Sequence, residues 1–337
     1  MKIDIFPHIS PRKYFDRMIA TAPPGMALQK RMSGIPMLTD VELRLRTMDR
    51  YPDYVQVLTL AAPPIEVVGG PDVTPDLARL ANDEMAALVA RYPDRFPGFV
   101  ASLPMNNPDA AVKEIDRAID QLGATGVQIF TNVLGRPLDL PEYQPIFARM
   151  AERDLPIWMH PARPATVPDY VGEKRSKWDL WWAFGWPYET SIAMGRLVFA
   201  GLFDRHPGIK IITHHMGAMI PFCAGRIGGG LDQLGTRSDD PDDLAALGRL
   251  EKRPIEYFKM FYGDTALFGA WHAMESGLAF FGADKILFGT DTPFDPEGGN
   301  GFIRDTIAAM EKMRATPEEK QAIYEGNARR MLKLGLR

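Results

Sequence analysis

His8, His160, His215 and Asp291 combine metal-binding side chains with positions at the ends of short apolar segments. Imidazole nitrogens and a carboxylate oxygen make a donor set for a divalent ion such as Zn2+ or Mn2+. An ion held this way with open positions can polarise a carboxylate or activate water. The chain has only six histidines. His206, in Asp204-Arg205-His206-Pro207-Gly208, suits a helix end, where a histidine satisfies carbonyls and the dipole. His272 falls in a helix-like stretch. Neither is expected in the site. One histidine at a strand end is ordinarily a hydrogen-bonded loop residue. Several strand ends carrying such residues favour a shared metal site.

The elements that must position these residues follow a repeated rhythm of apolar strand, polar loop and amphipathic helix. Strands are expected at Ile3–Phe6, Tyr54–Leu60, Gly98–Leu103, Gly126–Phe130, Pro156–His160, Ile209–Thr213, Met260–Gly263 and Lys285–Gly289. Helices are expected at Leu77–Arg91, Pro108–Leu122, Pro141–Arg153, Glu189–Arg205 and Thr316–Leu334, from apolar spacing of three and four. Asn107-Pro108 is a cap followed by a first-turn proline, and Gly123 is a stop signal. Alternating strands and helices imply parallel pairing by right-handed crossovers. Eight such units predict an α/β fold, a (β/α)8 TIM barrel, as a single domain over residues 1–337. A doubly wound open sheet would need a glycine-rich phosphate loop after the first strand, and none is present.

Two insertions interrupt the rhythm, after strands one and five. Ala22–Leu38 holds Pro23, Pro24, Met26, Met32, Pro36 and Met37. Arg163–Pro187 holds Trp178, Trp181, Trp182 and Trp186 among the chain's six tryptophans. Both fall at C-terminal strand ends, where barrels of this kind place their active sites. Strands one, five, six and eight would bring His8, His160, His215 and Asp291 around that mouth.

Bulk properties narrow the function classes. The 337 residues are 46% hydrophobic and 24% charged, as in an ordinary globular protein. A net charge of -4 gives no basic face for nucleic acid. No apolar run has the length of a membrane span. The N-terminal MKIDIFPHIS reads as a strand rather than a signal peptide, and the lone Cys223 suits a reducing compartment. A cytoplasmic location is expected.

With these residues in place, the chain resembles the amidohydrolase superfamily, specifically its aminocarboxymuconate-semialdehyde decarboxylase-like branch. That branch includes aromatic-acid decarboxylases such as those acting on γ-resorcylate. The resemblance runs from Lys2-Ile3-Asp4-Ile5-Phe6-Pro7-His8 through Leu103-Pro104-Met105, His160-Pro161 and Glu189-Thr190. It continues through Gly201–Pro207, His215-Met216-Gly217, Pro221-Phe222 and Gly225-Arg226-Ile227 to Gly289-Thr290-Asp291-Thr292-Pro293-Phe294.

The resemblance implies metal ligation by His8, His160 and Asp291. Counting back from Pro221-Phe222, it places the strand-six catalytic histidine on His215 rather than His214, with Asp291 assisting. Arg226 resembles an arginine that binds a substrate carboxylate and can come from a neighbouring subunit, so a homodimer or higher homo-oligomer is expected. From the residues themselves, Phe294 and Trp182 are expected against the substrate, with the tryptophan-rich insertion either covering it or packing on the barrel or at a dimer interface. Two positions depart from the pattern. Phe6 replaces a metal-binding His or Glu, leaving three protein ligands. Ala218 stands where resorcylate-type enzymes carry a supporting glutamate.

The implied activity is metal-dependent, non-oxidative decarboxylation of an aromatic or muconate-like carboxylic acid. Hydrolysis or hydration by metal-activated water is the alternative, since the same ligands serve both. A barrel that binds a ligand without catalysis is a third class, to which Phe6 lends weight.

Overall fold

The computed structural model describes residues 1–23, 27–237 and 240–335. Among them the barrel strands are β1 (Lys2–Asp4, resuming at His8–Ile9), β2 (Tyr54–Leu60), β3 (Gly98–Phe99 and Ala101–Ser102), β4 (Val127–Phe130), β5 (Ile157–His160), β6 (Ile211–Thr213), β7 (Tyr262–Asp264) and β8 (Ile286–Leu287). Neighbours pair in parallel and in chain order. Ile3 lies opposite Val55, Leu58 opposite Phe99 and Ser102 opposite Gln128. Ile129 lies opposite Met159, Trp158 opposite Ile212, Ile212 opposite Tyr262 and Asp264 opposite Leu287. The last strand returns to the first: Ile5 N donates to Phe288 O at 2.9 Å and Asp291 N to Phe6 O at 3.1 Å. The fold is the expected (β/α)8 barrel.

The expected helices form with shifted ends. Thr74–Arg91, Pro108–Asp120 and Gln144–Arg153 follow β2, β3 and β4. Asn107 caps the second, its side chain accepting from Ala110 N at 3.2 Å. The helix expected over Glu189–Arg205 starts earlier, as Gly185–Phe199, and breaks at Gly201 (φ 69°) before Leu202–Arg205. His206 is the C-cap of that short piece, and His272 lies in the helix Trp271–Phe281. The first insertion contributes the helix Ala27–Ser33 and a turn at Pro36–Leu38; Pro24 and Met26 lie outside the described residues. The second insertion has a single helical turn, Leu180–Ala183, ahead of the long helix. Among the described residues no helix is long and apolar enough to cross a membrane.

Alternation along the strands sorts side chains into two layers. Ile3, Ile5, Val55, Val57, Val100, Trp158, Ile212 and Leu287 form one buried cluster, and Leu58, Phe99, Ile129, Met159 and Phe288 join the larger core that includes helix residues. Trp158 is fully buried in the first cluster and donates its indole N–H to Ile5 O at 2.9 Å. Gly126 makes room for it. A Cβ there would come within 2.4 Å of Pro156 O and 2.5 Å of the Trp158 ring.

A buried carboxylate locks the seam between β1 and β8. Asp4 accepts from Phe6 N (3.1 Å), Thr290 N (3.1 Å), Thr290 Oγ1 (2.6 Å) and Tyr54 OH (2.5 Å). These contacts fix the residues just before His8 and Asp291. Burial raises the Asp4 pKa, opposed by the bonds from Thr290 and Tyr54. Asp4→Ala strands several donors in the interior, so it is expected to cost about 3 kcal/mol or more. The check is the urea midpoint of unfolding; a shift equivalent to less than about 1 kcal/mol would show that the seam does not depend on Asp4.

Candidate metal centre

The mouth of the barrel gathers His8, His160, His214 and Asp291, all buried, with one ligand atom from each within 4.8 Å of all the others. His8 resumes β1 after Phe6 and Pro7, His160 ends β5, His214 directly follows β6, and Asp291 follows β8. His8 Nε2 lies 2.9 Å from Asp291 Oδ1, and His214 Nε2 lies 3.3 Å from the same oxygen.

The partners of the other ring nitrogens indicate what the cluster holds. The Thr59 hydroxyl donates to Pro7 O at 2.7 Å, so at 3.3 Å from His8 Nδ1 it acts as acceptor, and Nδ1 carries the proton. His160 Nδ1 donates to Pro161 O at 2.8 Å, and His214 Nδ1 to Asp264 Oδ2 at 2.6 Å. In each ring Nε2 is left for the cluster, the arrangement that orients metal-binding imidazoles. His8 Nε2 is buried without an aligned hydrogen-bond partner despite its closeness to Asp291. Lone pairs converging on a carboxylate call for a cation. The residues fit a divalent metal ion.

Electrostatics agree. Burial, then the neighbouring His214 and His8, hold His160 well below the usual imidazole range. For His214, burial acts downward but the carboxylates of Asp264 and Asp291 win, raising it to about 9. Burial acts upward on Asp291, yet His214 and then His8 hold it well below the usual carboxylate range. The pocket therefore places positive charge between two carboxylates, and ligation by His214 requires release of its proton.

His215 stands beside this cluster rather than in it. Its ring stacks on His214 at 3.7 Å between centroids, and its Nδ1 donates to Ala266 O at 2.6 Å. Burial and then His214 lower its pKa to about 4, so it is neutral near pH 7. Its backbone is left-handed (φ 59°), as is that of Asp291 (φ 64°). Such conformations persist when surrounding bonds enforce them. Here His215 N donates to Asp264 Oδ1 at 3.0 Å, and Asp291 N to Phe6 O. Asp264 thus sets both histidines.

Sequence reasoning brought His8, His160 and Asp291 to one place, and the structure adds His214 to the group. It passed over Asp264, one residue beyond the expected seventh strand, although a carboxylate at a strand end was the signal used for Asp291. Phe6 lies against the cluster, its ring stacked on His214 with centroids 3.8 Å apart. Phe294 reaches the mouth, 5.4 Å from the His8 ring. Trp182 is further out, 6.3 Å from Trp186 and from Phe268, and these two rings pack against His160 and His215. Arg226 is not brought to the mouth. It is exposed on the outer helix Ile220–Leu231 and lines a groove of about 1730 Å³ with Ile192 and Met219.

Comparisons with known proteins agree with this geometry. A family model described as amidohydrolase matches residues 36–334. A gamma-resorcylate decarboxylase of Rhodococcus jostii is 33% identical over 269 residues, covering 77% of this chain and 79% of that protein. A 2-amino-3-carboxymuconate-6-semialdehyde decarboxylase of Dictyostelium discoideum is 32% identical over 256 residues, covering 76% of this chain and 67% of that one. The crystal structure of a 5-carboxyvanillate decarboxylase of Novosphingobium aromaticivorans, complexed with manganese and 4-hydroxy-3-methoxy-5-nitrobenzoic acid, superposes with a TM-score of 0.83 at 25% identity, covering 99% of this chain and 96% of that one. A family match over most of the length and relatives at these identities place the chain in the amidohydrolase family, in the amidohydrolase-related branch that contains these decarboxylases.

Proposed function

We propose that this protein is a metal-dependent, non-oxidative decarboxylase of an aromatic or muconate-like carboxylic acid. The observation that carries the reading is the buried His8, His160, His214 and Asp291 cluster beside a neutral His215. A divalent ion, Mn2+ or Zn2+, would be held by His8, His160, His214 and Asp291 and would supply positive charge to offset the substrate carboxylate.

The chain's own residues do the rest. The carbon bearing the carboxylate gains a proton, the carbon–carbon bond breaks, and CO2 leaves, with net uptake of one proton. His215 keeps its Nδ1 proton on Ala266 O, so its Nε2 lone pair takes a proton from solvent and passes it on to that carbon. Asp291 is a ligand and a second carboxylate that can accept the incoming proton and pass it on. Phe294 and Trp182 flank a flat substrate and exclude water.

Arg226 can grip a carboxylate through a bidentate fork only from a second copy of the chain, because its own helix faces outward. Phe222 on the same helix is 88% exposed and would be covered in such a homodimer. The protein is therefore expected to elute as a dimer or larger in light scattering.

The test is a panel of hydroxybenzoates and muconate-type acids assayed for CO2 in 18O-labelled water with the metal-loaded protein. Stoichiometric CO2 without label in the product is expected. Labelled product without CO2 would overturn decarboxylation in favour of hydrolysis.

A further inference from the structure

Beside the metal cluster lies a second cavity of about 930 Å³, formed by the loops after β2, β4 and β5. Its walls include Pro63, Phe130, Leu134, Val167, Trp181 and Trp186. The Phe130 and Trp186 rings lie 5.1 and 5.3 Å from the His160 ring between centroids, so one layer of aromatic rings separates the cavity from a metal-site histidine. The volume lies within the ~300–1,000 Å³ of small-molecule sites.

The charges lining this cavity are already engaged. Arg163 pairs with Glu189 at 2.7 Å, and Arg196 with Asp139 at 2.7 Å. Among the uncharged polar groups, Thr131 Oγ1 accepts from Ala162 N at 2.9 Å, and Asn132 bonds Ala162 O at 2.7 Å and Gly135 N at 2.8 Å. The Trp186 indole N–H donates to Arg163 O at 3.3 Å. A polar ligand would compete with these pairs, whereas an apolar group would replace only water against the mostly apolar walls.

We propose that this cavity receives an apolar substituent of the substrate, so that the preferred acids carry an alkyl or aryl tail as well as the metal-binding head. The inference rests on the decarboxylase reading and names its substrate class. Phe130 and Trp186 form the threshold: the head binds at the metal, and the tail passes between these rings into the Trp181 and Val167 side. Val67, 38% exposed, stands at the rim.

The experiment uses the manganese-loaded protein and hydroxybenzoates bearing hydrogen, methyl, propyl or pentyl at each open ring position. For one position, kcat/KM is expected to rise about fourfold per methylene until the cavity is filled. Val67→Trp and, separately, Ala165→Phe shrink the cavity from loop positions, and each is expected to reduce that gain to under twofold per methylene. The same alkyl series, titrated by tryptophan fluorescence, reads binding without turnover. A Kd independent of chain length at every position overturns the tail site, whether or not CO2 is released. A steep dependence unchanged in both variants overturns its location. Chain-dependent binding, lost in the variants but without CO2 from any acid, would retain the tail site and reject decarboxylation.

Discussion

Replacing His215 with Asn is expected to lower kcat by roughly 10²–10⁴-fold while the protein keeps its metal. Replacing His214 with Ala is expected to lower metal affinity by about 100-fold or more. The two residues are adjacent and their rings are stacked, yet they have different partners. His214 is oriented by Asp264 and shares Asp291 with His8. His215 is oriented by Ala266 O and lies outside the group of ligand atoms. The check is metal content by mass spectrometry together with kcat and KM for each variant. Equal metal loss in both, or a near-normal rate for His215→Asn, would reverse these assignments. Phe6 brings no donor to the cluster but covers one face of the His214 ring.

Removing the ion with a chelator is expected to abolish turnover, and Mn2+ or Zn2+ to restore it. Asp291→Asn is expected to resist restoration at metal levels that saturate the native protein. Asn has nearly the same shape as Asp and tolerates the left-handed backbone at φ 64°, so the change removes charge with little strain. That charge is central, because Asp291 is the carboxylate on which His8 and His214 converge. Without it the histidines face one another with no carboxylate among the ligand atoms, and Asp264 offsets charge only from the far side of His214. Calorimetric titration with each metal and the assay on the reloaded protein provide the check. Full activity in metal-stripped protein would remove the ion from the mechanism.

The sequence by itself determined the barrel and the ring of strand ends. Its strand–helix rhythm follows from local periodicity, which depends only on neighbouring residues. His8, His160 and Asp291 were legible because each sits at the end of a recognisable apolar run. The tertiary structure decided which histidine after β6 joins them. At Thr213 the strand ends, His214 stays with the cluster through Asp264 and Asp291, and the left-handed backbone at His215 sends the next ring toward Ala266. No local pattern encodes that choice, because the carboxylates that make it arrive from β7 and β8, 50 and 77 residues away. Arg226 follows the same logic: its motif was readable, but only the packing of its helix showed that it faces away from the mouth of its own barrel. Side-chain identity supplied the donors, and long-range hydrogen bonds determined which of them converge.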